Sequence, residues 1–208
     1  MINDQNNVIL RGNVISFNST RKFATVRLAV ESEKGKTNFP LVNIYNTNLV
    51  KEVQIGKRFL IQGHTQNRPV TNAKGKKETK TIIVADNIIP AARRLYDYFN
   101  PSLIEGSEGG APADINNIVM IGTVRSTYTP PKGKGSVCLL RIDMVNENTT
   151  RQCDISCFGI QAEYVTMLEP GQKVAVVGYV STNKKINGKE TLYFQNVICR
   201  DVSLINNN

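Results

Sequence analysis

Two stretches of the chain, NNVILRGNVISF (Asn6–Phe17) and NNIVMIGTVRST (Asn116–Thr127), say nearly the same thing about 110 positions apart. Each has paired asparagines, an apolar run, a glycine (Gly12, Gly122) and then a valine (Val14, Val124). Solenoid and propeller repeats recur every 20–50 residues or so, roughly. A spacing this long reads as two copies of a whole domain.

The echo continues in order. RKFATVRLAV (Arg21–Val30) answers GSVCLLRIDM (Gly135–Met144), and FPLVNIY (Phe39–Tyr45) answers QCDISCF (Gln152–Phe158). IGKRFLIQGHTQ (Ile55–Gln66) answers PGQKVAVVGYVS (Pro170–Ser181), with Gly56/Gly171 and Gly63/Gly178 in register. TIIVADNI (Thr81–Ile88) answers TLYFQNVI (Thr191–Ile198). These blocks are short, rich in β-branched and aromatic residues, and bounded by Gly, Asn or charged turns, so they read as strands. Alternation predicts Cys153, Ile155 and Cys157 inward and Asp154, Ser156 and Phe158 outward.

Only GIQAEYVTMLEPG (Gly159–Gly171) has helical spacing, through Ala162, Val165 and Leu168, until Pro170–Gly171 stops it. Its counterpart NTNLVKEVQIG (Asn46–Gly56) leaves room for one or two turns. Five strands with a helix between the third and fourth predict an all-β chain of two tandem OB-fold five-stranded barrels. The boundaries read as a first, basic OB domain at 1–92, a linker with room for a short helix at 93–114, and a second OB domain at 115–208.

The chain carries 26 Lys and Arg against 17 Asp and Glu, a net charge of +9. Residues 1–92 hold 14 basic and 6 acidic side chains, 93–114 hold 2 and 4, and 115–208 hold 10 and 7. The surplus points to a polyanionic partner and sits mainly in the first copy. No apolar run approaches the ~18 residues of a membrane helix, so no membrane role is expected. A polar start and four cysteines predict a reducing, cytoplasmic setting.

Catalysis is not expected, because no nucleophile motif, phosphate loop or metal-binding carboxylate pattern is present. The single histidine, His64, reads as an ordinary strand residue. Cys138, Cys153, Cys157 and Cys199 lack the close pairs of a zinc site and read as core filling, so neither metal nor cofactor is expected.

Single-stranded nucleic acid explains more. Binding it takes cations for phosphates and flat side chains for bases, along one groove. In an OB fold that groove crosses the outer face of strands two and three, between the one–two and four–five loops. The first copy puts Arg21 and Lys22 in the first of those loops, Arg27 on strand two, and Phe39 and Tyr45 at the ends of strand three. Its other loop, NRPVTNAKGKKETK (Asn67–Lys80), holds Arg68, Lys74, Lys76, Lys77 and Lys80. The second copy puts Tyr128, Lys132 and Lys134 in the first loop, Arg141 on strand two and Phe158 at the end of strand three. Lys184, Lys185 and Lys189 occupy its hairpin, NKKINGKE (Asn183–Glu190). Phe17, Phe59 and Phe194 are assigned to the cores, since a barrel needs large interior residues. The expected partner is a single-stranded nucleic acid, with the first copy neutralising most of the phosphate.

These stretches resemble the bacterial single-stranded DNA-binding protein (SSB) family. NNVILRGNV and NNIVMIGTV are similar to its opening strand, N-x-V-x-L-x-G-x-L, and DISCFGIQAEYVTMLEPGQKVAVVGYV resembles its strand three, helix and strand four. The resemblance covers almost all of both copies and leaves out 93–114. It implies an OB fold, sequence-tolerant binding of single-stranded DNA in replication, repair or transfer, and four OB domains per particle, hence a homodimer here. By position, the aromatic before the helix falls on Tyr45 and Phe158, and the stacking aromatic six residues earlier on Phe39, with Gln152 in the second copy. The family's hairpin tryptophan has no counterpart; Val70 or Lys185 stands near it, and the chain has no tryptophan. The sequence ends DVSLINNN where the family has an acidic recruiting tail. These departures imply binding that leans on charge and falls steeply with salt. They suit a specialised tailless SSB, or alternatively an adaptor resembling primosomal protein N that contacts replication proteins and binds ssDNA weakly.

Overall fold

The structure, a computed structural model, describes residues 3–32, 35–71, 75, 77–91, 114–131, 136–146, 149–187 and 190–205; the linker expected at 93–114 lies almost wholly outside them. In chain order the first half contains β1 (Gln5–Ser19), β2 (Ala24–Glu31), β3 (Thr37–Asn38), β4 (Leu41–Ile44), β5 (Arg58–Thr71) and β6 (Lys77–Pro90). The second contains β7 (Ile115–Tyr128), β8 (Val137–Asn146), β9 (Thr149–Phe158), helix α1 (Ile160–Thr166), β10 (Lys173–Asn187) and β11 (Glu190–Leu204).

In the second half the ladders run β7–β8–β9–β11–β10 and back to β7, closing a five-stranded barrel. The ladders of the first half pass through the same cycle, β1–β2–β4–β6–β5 and back to β1. A strand that belongs to two sides of a barrel has to bend. Here β1 shifts register between Val14 and Ser16, and β7 between Val124 and Ser126. Bulges of this kind add the local twist that closure requires. The motif glycines sit where the barrel wall leaves no room for a side chain: a Cβ on Gly12 would lie 2.3 Å from the Ala29 carbonyl oxygen, and one on Gly122 would lie 2.6 Å from that of Asp143.

Alternation fills the interiors as the sequence predicts. Val8, Leu10, Val26, Leu28, Ile118, Met120, Leu140 and Ile142 are fully buried, as are Cys153, Ile155 and Cys157, while Phe158 is exposed. Ala162, Val165 and Leu168 bury the inner face of α1 and its exit. In the first half a single 3-10 turn, Thr47–Val50, occupies that place, capped by the Asn46 side chain.

Three expectations need correction. The third strand of the first half is split into β3 and β4, because Pro40 offers no N–H to the ladder. The stretches read as four–five loops are mostly strand: β5 and β6 stay paired out to Thr71↔Lys77, and β10 and β11 out to Asn187↔Glu190. The last block is displaced by four residues. Val42 pairs with Ile83 and Ile155 with Val197, so the counterpart of Ile83 is Val197 and not Tyr193.

The paired asparagines join the halves. β1 and β7 form an antiparallel ladder from Gln5↔Ile121 to Arg11↔Ile115, so each has both edges occupied. The β1–β5 ladder ends at Val8↔Gly63 and the β7–β10 ladder at Ile118↔Gly178. Beyond those points side chains take over from the backbone. Asn6 Nδ2 donates to the Thr65 carbonyl (2.8 Å), and Asn6 Oδ1 accepts from the Thr65 N–H (2.9 Å) and hydroxyl (3.1 Å). Asn116 does the same to Val180, donating to its carbonyl (2.8 Å) and accepting from its N–H (2.8 Å).

Two residues upstream, each aspartate reaches the opposite half. Asp4 accepts from the Val145 N–H (2.7 Å) and pairs with Lys173 (2.9 Å). Asp114 accepts from the Glu31 N–H (2.6 Å) and pairs with Arg58. On the outside of this shared sheet, alternation places Ile9, Leu60, Val119, Ile121, Ala175 and Val177, interleaved with Gln5, Asn7, Gln62 and Asn117.

Thr65 and Val180 are buried, so removing an asparagine leaves buried backbone groups without partners. Asn6→Ala and Asn116→Ala are each expected to cost about 1–3 kcal/mol per orphaned group. Urea unfolding checks this; an unchanged midpoint would mean water replaces the amide.

Candidate nucleic-acid interface

The outer face of β2 and β4 carries the first half's expected site. Tyr45, just past β4, is 48% exposed and lies 5.6 Å ring to ring from Phe23. The Arg68 guanidinium, on β5, donates to the Tyr45 hydroxyl (3.1 Å). Arg21 and Lys22 are exposed in the β1–β2 connection, and Lys77 and Lys80 are exposed on β6. Lys80 stands directly opposite Arg68 in the ladder, a like-charge pairing that weakens a sheet on its own. Lys74 and Lys76 lie outside the described residues.

Farther along the same face, Arg27 donates through Nη1 to the Phe39 carbonyl (2.8 Å) and lies over the Tyr193 ring, 4.4 Å from its centroid. Burial lowers the Arg27 pKa, and the Tyr193 side chain partly offsets that. Among the described residues no carboxylate pairs with Arg27. The Phe39 ring lies 5.5 Å from that of Tyr193, tilted by 56°.

The second half arranges the same positions differently. Arg141, the counterpart of Arg27, makes a bidentate pair with Asp154 directly across the ladder (2.5 and 2.9 Å). That bond raises the arginine pKa and meets its charge inside the protein. In the first half the residue opposite Arg27 is Leu41. Tyr128 and Phe158 are exposed, as expected, at 57% and 47%. Leu139, Ile160 and Met167 are exposed as well, extending an apolar rim from β8 to α1. Lys184 is exposed on β10, the Lys185 side chain is not described, and Lys132, Lys134 and Lys189 lie outside the described residues.

Phe59 is buried and Phe17 packs against the core, but Phe194 is 46% exposed. The displaced register explains it: Phe194 stands on the outward ribbon of β11, beyond the barrel wall. Phe23 and Tyr193 were missed by sequence reasoning. Phe23 follows Arg21 and Lys22 directly and had a visible signal. Tyr193 was hidden, because the shifted block aligned it with Ile83, a core residue.

His64 is buried on β5, with its Nδ1 at 3.0 and 2.9 Å from the Asp86 carboxylate oxygens. It lines a cleft of about 420 Å³ between the halves with Asp4, Asn6 and Arg151. All four cysteines are free and buried. Among the described residues no group of three or more His, Cys, Asp or Glu is placed to hold a metal ion, and no helix is long and apolar enough to cross a membrane. The Cys157–Cys199 hydrogen bond, then burial, pushes the Cys157 thiol up, and the same bond draws Cys199 down.

The closed barrel with a helix between its third and fourth strands defines an OB fold. In fold, the chain is similar to solved structures of a bacterial single-stranded DNA-binding protein. The wild-type single-stranded DNA-binding protein from Thermus aquaticus superposes with a TM-score of 0.63 at 16% identity, covering 100% of this chain and 96% of that one. A deletion mutant of the same Thermus aquaticus protein gives a TM-score of 0.64 at 16% identity, over 100% of this chain and 98% of its own. No protein-family model matches the chain, and no curated protein matches its sequence. At such identity the likeness is one of fold.

Burial pushes the Cys153 thiol up to about 12. A raised thiol pKa favours the neutral form in the folded state, so its contribution is intact below the ordinary value of about 9 and is lost as pH rises toward about 12. The urea midpoint of the wild type is expected to fall across that window more steeply than that of Cys153→Ala. Parallel profiles would rule the Cys153 thiol out as the source.

Proposed function

We propose that the chain binds single-stranded DNA without base specificity, protecting it in the cytoplasm during replication, repair or transfer. The observation that carries this reading is the co-location of rings and cations on one outer face. Phe23, Tyr45 and Phe39 lie along β2 and β4, and Arg21, Lys22, Arg27, Arg68, Lys77 and Lys80 flank them. Rings on a cationic groove bind unpaired bases of any sequence, because every base has a flat face. Strong positive charge with few rings makes the binding salt-dependent. The second half contributes less, since Arg141 already has a carboxylate.

Titration of labelled oligo(dT), mixed-sequence single strands, duplex and oligo(U) across a salt series tests the reading. Single-stranded DNA of either sequence is expected to bind, and duplex to bind weakly. Changing Arg68, Lys77 and Lys80 together to alanine is expected to weaken binding and flatten the salt slope by about 2, near 0.7 per lost phosphate contact. No binding to oligo(dT) in dilute buffer would overturn the function.

We further propose a homodimer in which a second copy covers the mixed apolar and amide outer face of the shared sheet. Sedimentation is expected to give twice the chain mass of 23.1 kDa. Val119→Asp, at the centre of that face, is expected to yield a folded monomer. A monomeric wild type would refute the arrangement. A second reading, an adaptor that contacts other replication proteins, is favoured by the apolar rim of Tyr128, Leu139, Phe158, Ile160 and Met167. It predicts weak oligo(dT) binding that Arg68, Lys77 and Lys80 do not control.

A further inference from the structure

We propose that the base-contacting face of the first half is completed by the second: Tyr193 touches the bound strand, forming with Phe39 and Arg27 a notch for one base and its phosphate. This rests on the ssDNA reading above and deepens it.

The geometry fixes Tyr193 at that face. The Leu41 N–H donates to Gln195 Oε1 (2.9 Å), the Phe39 N–H to Thr182 Oγ1 (2.7 Å), and the Thr182 N–H to Asn38 Oδ1 (3.1 Å). These bonds seat the β10–β11 ribbon of the second half on the break between β3 and β4, ahead of the residues of β4 that pair with β6. Gln195 and Tyr193 are two apart on one strand and share a face. The contacts therefore step together: Gln195 with Leu41, Tyr193 with Phe39. Both rings and the arginine keep part of their surface in solvent.

The charge argument separates this cluster from ordinary interface packing. Arg27 is partly buried against a ring face and one carbonyl, and no described carboxylate meets its charge. A desolvated cation without a counter-ion is costly in the protein alone, and a phosphate supplies the missing anion. At the related notch on the second half's face stand Gln152 for Phe39, Thr79 of the first half for Tyr193, and the Asp154-paired Arg141 for Arg27. The chain thus has one furnished notch, built from both halves.

The test uses the full-length protein and oligo(dT). Tyr193→Ala and Phe39→Ala are each expected to weaken binding about tenfold or more, the size of one lost stacking contact. Phe194→Ala, which changes the neighbouring exposed ring, is expected to leave binding unchanged. Tyr193→Leu keeps the packing volume without the flat ring, and is expected to lose affinity while the thermal melt stays that of the wild type. An oligo(dT) carrying 5-iodouracil is expected to photocross-link to Tyr193, mapped by mass spectrometry. Wild-type binding with Tyr193→Leu equally tight and no cross-link at Tyr193 would overturn the notch and leave the ssDNA reading standing. Wild type that fails to bind oligo(dT) at all would overturn both.

Discussion

β1 and β7 each hydrogen-bond along both edges, and the rest of the architecture depends on that double duty. A strand that curls into one barrel while pairing with another does both over only a short stretch, here Val8–Arg11 of β1 and Ile118–Ile121 of β7. Each strand divides the two roles at two points. A bulge after Val14 or Val124 turns its later part into the barrel wall. An asparagine side chain, Asn6 or Asn116, replaces the backbone where the earlier part has left for the other half. Asp4 and Asp114 then tie each half to the far side. The result removes two open strand edges that would otherwise invite pairing with other chains. It also fixes how the halves face each other, which decides what can reach β4.

Much of this was legible in the chain. The spacing of the repeat, the alternation and the single helical run led to the barrel and to its interior, because burial on one face of a strand imposes a period of two. The room for a short turn after Tyr45 and the exposure of Tyr45, Tyr128 and Phe158 followed from the same reading. The failures have a common cause. The wall of a barrel is constrained by burial, but a two-stranded ribbon beyond the wall has no inside, so its register is weakly marked in sequence. The last block slipped by four there, so Phe194 was assigned to a core it does not enter and Tyr193 went unremarked. The Asp-x-Asn-Asn echo was within view from Asp4 and Asp114, yet its meaning was not, since each aspartate acts on the opposite half. Arg141 and Asp154 were each placed on the correct face, and only the cross-strand register shows that they meet.

The two halves share one plan and differ where it touches solvent. In the second, the outward arginine on strand two is neutralised by the carboxylate across from it. In the first, Leu41 takes that place, and Arg27 is held by a ring and a carbonyl that fix its direction without cancelling its charge. Arg68 faces Lys80 across the ribbon, which costs stability in an isolated sheet. Local rules of this kind are broken mainly where a protein has something to bind. All of these departures fall on one face and all have the same sign. A single polyanion laid along that face, as proposed above, would relieve them together.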